Sequence, residues 1–115
     1  MRLVVAVLKP AQVEAVRQAL AAMHVTRLTI CDAQGYRGGD SVGYAVLRQE
    51  SVMEIAVNDD FLERTVETIR SAMQLDDTAE DAARDAAQGS ACSLFVLPID
   101  EAVQIYREVR GPEAV

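Results

Sequence analysis

Tryptophan is absent from this sequence, histidine occurs once, and Phe and Tyr bring the aromatic share to only 4%. With the residues AVILMFWYC at 50% of the chain, a core has to be assembled from Val, Leu, Ile, Ala and Met. No run approaches the roughly 18 apolar residues that a membrane span requires. The N-terminus also lacks the basic and apolar segments of a secretory signal, so a cytoplasmic protein without membrane insertion is expected. Positive charge is short as well: 11 Lys and Arg against 18 Asp and Glu leave a net charge of -7. No local basic patch offsets it, so nucleic acid is not expected as a partner. The two cysteines, Cys31 and Cys92, are far apart and lack the paired spacing of a metal site. Both read as small buried residues on opposite edges of a sheet, with no disulfide between them. No nucleophile with its base and no carboxylate pair stands out, so no enzyme is expected.

What is present is one module used twice. Residues 3–23, LVVAVLKPAQVEAVRQALAAM, place a short apolar run before a helical period, and a shift of fifty positions sets Ala6 and Val7 on Ala56 and Val57, Val16 on Val66, and Met23 on Met73. Each copy is followed by another extended run, at 25–33 and 92–99. The order β-α-β, connection, β-α-β predicts a single α+β domain over 1–115 of the ferredoxin-like type, an antiparallel sheet in the order 4-1-3-2 with two helices on one face. Val5 and Val7 alternate with Val4, Ala6 and Leu8, so the first strand is apolar on both faces. A second apolar face calls for a cover, and further copies of the chain supply one.

The first helix is expected over about 11–23, entered through Pro10, with Val13, Val16, Ala19, Leu20 and Met23 inward and Glu14, Arg17 and Gln18 outward. His24 reads as a surface residue at the helix end. After the second strand, Gly35, Gly38, Gly39 and Gly43 mark a flexible loop, either a plain hairpin connection or, with Arg37, a cradle for an anion; its spacing fits neither a Walker loop nor a dinucleotide fingerprint. An extended stretch over 43–57 follows, with a bend expected at Arg48, Gln49 and Glu50. Asn58 or Asp59 is the expected N-cap of a helix whose inner stripe is Leu62, Thr65, Val66, Ile69 and Met73. Residues 76–88 hold five acids and five alanines against one arginine and read as an exposed acidic insertion. Pro98 suits an edge strand. Beyond it Ile105, Tyr106 and Val109 are expected to pack, leaving Arg107 and Arg110 to a ligand or to nearby Glu residues.

With these residues in view, the chain resembles the PII signal-transduction proteins, small homotrimeric regulators that bind ATP, ADP and often 2-oxoglutarate. MRLVVAVLKPAQVEAVRQAL is similar to the family's first strand, Lys-Pro corner and first helix; VMEIAVNDDFLERTVETIRSA resembles its third strand, Asp-Asp pair and second helix. FVLPIDEAVQI resembles its last strand and the turn after it. The resemblance implies that Val7, Thr29, Gly35, Glu54 and Ala56 surround the base and sugar of an adenine nucleotide between subunits. Arg37 and Arg107 or Arg110 would meet the phosphates, and Gly38, Gly89 and Ser93 complete the implied set. ATP, ADP or AMP would then be a regulatory ligand rather than a required cofactor, read by a protein target such as a transporter in nitrogen or carbon metabolism.

The sequence also departs from that pattern. The long T-loop is cut to about the glycine-rich segment, and Tyr44 lacks the motif around the tyrosine that some members have uridylylated. The family's phosphate-binding lysine falls on Ser93, a basic ligand at the start of the third strand falls on Glu50, and one of two arginines falls on Gln104. Charge-assisted hydrogen bonds contribute about 1.5 to 3 kcal/mol each, so three missing ones weaken the usual ATP pose by about 4 to 9 kcal/mol. ADP, AMP or another anion asks less of such a pocket. Two alternatives stand beside the sensor: a structural or interaction trimer with a decayed nucleotide site, and a CutA-like metal-binding trimer using Cys31, Cys92 or His24.

Overall fold

The structure is a computed structural model that describes residues 1–38, 45–76 and 92–115. Strand β1, Arg2–Leu8, ends at the Lys9-Pro10 corner, where a short 3-10 turn, Pro10–Gln12, leads into helix α1, Val13–Ala22. Strand β2 is Thr29–Gly38, strand β3 is Ala45–Val57, helix α2 is Asp59–Asp76 and strand β4 is Ser93–Pro98. A small hairpin of β5, Val103–Gln104, and β6, Val109–Arg110, follows, and after it comes a 3-10 turn, Gly111–Ala114.

The four long strands form one sheet in the order β2-β3-β1-β4, with every neighbouring pair antiparallel. This is the expected ferredoxin-like arrangement, and Pro98 lies on an edge strand, where its missing N-H leaves no gap in the ladder. Alternation along β1 and β3 turns Val4, Ala6, Leu8, Met53, Ile55 and Val57 inward to join Val16 and Leu20 of α1 and Ile69 and Ala72 of α2 in one buried core. Both helices therefore cover the same face. Thr65, fully buried on α2, is satisfied by donating to the Phe61 carbonyl at 2.8 Å.

The corner before α1 is held by Gln12, a buried polar side chain that the periodicity did not single out. Its Oε1 accepts from the Lys9 N-H at 3.3 Å and from Cys92 Sγ at 3.2 Å, tying the end of β1 to the start of β4. At the other end of α1, His24 has φ 68, its N-H donates to the Ala21 carbonyl at 3.0 Å, and the Val25 N-H donates to Leu20 at 2.9 Å. That is a Schellman stop with histidine in the left-handed position usually held by glycine.

Several expectations change. The second strand starts at Thr29, not 25, because Val25 still completes the helix stop, and it continues through Gly35 to Gly38 rather than yielding to a loop. β3 shows no bend at Arg48 to Glu50, since each of these pairs with β2. Cys31 is exposed rather than buried, because its side of β2 lies opposite the helices. Ile105 and Tyr106 are 87% and 97% exposed, because the hairpin turn carries them away from the core. The remaining glycines of the loop, Tyr44, and residues 77–88 of the acidic insertion lie outside the described residues.

Candidate ligand-binding face

No element of the described residues covers the face of the sheet opposite the helices. Leu3, Val5 and Val7 of β1 stand there beside Val52, Glu54 and Ala56 of β3 and Ser93, Phe95 and Leu97 of β4, as the strand pairing requires. Thr29, Cys31, Ala33 and Gly35 of β2 continue it. Phe95 is 54% and Leu97 43% exposed, large apolar surface on a face that no helix of the described residues covers.

Six of the predicted site residues share this face. Thr29 pairs with Glu54, Val7 with Ser93, Ala56 with Leu3 and Gly35 with Arg48. They are spread along its length: Val7 lines a cavity of about 30 Å³ with Lys9, Arg48, Glu50 and Cys92 at the Lys9-Pro10 end, whereas Ala56 lines a depression of about 230 Å³ with His24, Arg27 and Val115 at the other. Gly35 belongs to the first group, since a β-carbon there would collide with the Glu50 carboxylate. Arg37 and Gly38 continue β2, and Gly89 lies outside the described residues.

Arg107 and Arg110 do not join that group. Their hairpin is anchored at the far end of β3, where the Asn58 Nδ2 donates to the Pro112 carbonyl at 3.1 Å and the Gly111 N-H donates to Ala102 at 2.8 Å. Asn58 is eight residues beyond Glu50, about 26 Å along an extended strand. Arg110 pairs instead with Glu101. The start of α2 beside this anchor is acidic: the N-terminal ammonium donates to Asp59 at 3.1 Å, with Arg2 Nε at 3.3 Å, and this holds the Asp59 carboxyl below its ordinary range.

Beyond the body of the sheet, six residue pairs of β2 and β3, from Ala33 with Glu50 to Gly38 with Ala45, continue as a two-stranded ribbon about 20 Å long. A groove of about 610 Å³ lies between the helices, lined by Ala15, Gln18, Ala19, Glu67, Thr68, Ser71 and Ala72. It is larger than the cavities on the open face, but small side chains and solvated polar ones give a ligand no buried polar group to hold it. Among the described residues no group of three His, Cys, Asp or Glu is placed to hold a metal, and no helix is long and apolar enough to cross a membrane.

A ferredoxin-like sheet with one covered and one open apolar face defines a class of small α+β domains, and comparison with known proteins narrows it. The family model described as nitrogen regulatory protein P-II matches residues 1–109, and the chain belongs to that family. It is 34% identical to nitrogen regulatory protein GlnK1 of Methanosarcina mazei over 125 aligned positions, covering 100% of this chain and 97% of the relative. It is 29% identical to nitrogen regulatory protein P-II 2 of Methanothermobacter thermautotrophicus over 126 positions, with the same coverage of each. Both alignments run longer than the chain, so it lacks segments that those relatives carry.

Proposed function

We propose that this chain is a homotrimeric PII-type regulator, cytoplasmic and without catalytic activity of its own, that senses an adenine nucleotide in clefts between subunits. The bound state would be passed to a protein target, such as a transporter, in nitrogen or carbon metabolism. The observation that carries this reading is the open face, where Val7, Thr29, Gly35, Glu54, Ala56 and Ser93 stand on a surface too apolar to remain wet. The distance between the Gly35 end and the arginine hairpin adds to it. A second copy packed on that face can bring its own Arg107 or Arg110 to the cleft that one chain leaves incomplete. The family match over residues 1–109 supports the regulatory role.

Thermal melting with millimolar ATP, ADP or AMP, and separately with zinc, tests the sensing role. A nucleotide at a hundred times its dissociation constant adds about 2.7 kcal/mol, so the midpoint is expected to rise by several degrees. No shift with any nucleotide would favour a purely structural trimer, and a shift with zinc alone would favour a metal-binding one. Light scattering at micromolar concentration is expected to return the mass of three chains.

A further inference from the structure

Glu50 is the acidic residue in the lining of the first cavity. Its carboxylate lies against the backbone of Gly35, in the space that a β-carbon on that residue would need. With Val7, Lys9, Arg48 and Cys92 it lines a cavity of about 30 Å³, room for about one water molecule. Lys9 and Arg48 are the cations of that cavity and would be the natural seat for an anionic group of a ligand. The Glu50 carboxylate shares that cavity with them and lies over the glycine.

We propose that Glu50 sets the ligand charge accepted at this cleft, so that the cleft takes an adenine nucleoside or its monophosphate in preference to the di- and triphosphate. The proposal rests on the adenine-nucleotide reading given above. A second or third phosphate entering beside Lys9 and Arg48 would have to displace the Glu50 side chain or lie against its charge, and like charges in close contact disfavour one another. A ribose hydroxyl can instead donate to the carboxylate, which accepts on both oxygens. Gly35 is thereby given a role in this chain: without a side chain, it leaves the hollow that receives Glu50.

Isothermal titration of the wild type, Glu50→Gln and Glu50→Lys with adenosine, AMP, ADP and ATP tests the idea. The wild type is expected to bind AMP at least about tenfold more tightly than ATP, a tenfold ratio being 1.4 kcal/mol. Glu50→Gln should narrow that ratio and Glu50→Lys should reverse it. An independent check needs no ligand: Gly35→Ala should lower the melting temperature of the wild type and lower it less in a Glu50→Ala background. The proposal is overturned if the wild type prefers ATP, or if Glu50→Gln leaves the ratio unchanged; binding of either nucleotide then still upholds the sensing role. If none of the three proteins binds any adenine compound, the charge rule and the adenine reading fail together.

Discussion

His24, just past the end of α1, and Glu14 on it show how much a single side chain contributes outside the core. His24 occupies a left-handed position that disfavours a β-carbon by about 1 kcal/mol, and its stop motif is made entirely by backbone groups. His24→Gly should therefore stabilise the protein by about 0.5 to 1 kcal/mol, read as a higher urea midpoint at fixed protein concentration. A lower midpoint would mean that the imidazole makes a contact worth more than the strain. Glu14 accepts from Arg17 Nε at 3.0 Å and from Gln18 at 3.1 Å, and these bonds, Arg17 first, lower its pKa to about 2. A carboxylate depressed on folding stabilises the native state above its unfolded pKa, and that contribution disappears as pH falls through the folded value. Arg17→Ala should return the Glu14 midpoint toward the ordinary carboxylate range in an NMR titration, with little effect on stability near neutral pH, because the pair is exposed.

At the scale of elements, α2 and the paired strands β2 and β3 behave differently. α2 is attached through a narrow stripe, with Thr65, Ile69 and Ala72 buried against the sheet and Glu63, Arg64, Glu67 and Arg70 in solvent. Ile69→Ala removes apolar volume from the centre of the core and should cost about 2 to 5 kcal/mol. Equilibrium urea unfolding measures it, and a loss below about 1 kcal/mol would show that the helix repacks freely. The period of these residues was readable in the sequence, as was the helix start at Asn58 and Asp59. The length of β2 was not: a string of glycines marks turns locally, yet here the partner strand supplies the hydrogen bonds that keep the backbone extended through Gly35. The expected bend in β3 failed for the same reason. Arg48, Gln49 and Glu50 are poor strand formers in isolation, but cross-strand pairing overrides a weak local preference.

The whole molecule is defined by a sheet with one face finished and the other not. Phe95 lies opposite Val5 on the open side, half-exposed in a single chain. Phe95→Glu should leave the isolated fold intact, since the core on the helix side is untouched, but it would place a charge in the middle of any association between open faces. The expected result is native circular dichroism with a light-scattering mass reduced to one chain; an unchanged mass of three chains would place the assembly contact elsewhere.

The duplicated strand and helix pattern was enough to determine the class of fold and, through it, the strand order, and to divide β1 into two apolar sets, Val5 and Val7 against Val4, Ala6 and Leu8, because periods of two and 3.6 are properties of the local backbone. Which set faces the helices came from the structure. The resemblance to the PII proteins, rather than any period, marked Val7, Thr29, Gly35, Glu54, Ala56 and Ser93, six residues that share one face. Which of them meet, and what stands between them, belonged to the tertiary structure. The strand register sets Val7 and Gly35 at one end of the sheet, puts Ala56 and the arginine hairpin at the other, and lays Glu50 over the glycine. Contacts between residues far apart in the chain depend on how strands slide past one another, and no local period encodes that distance.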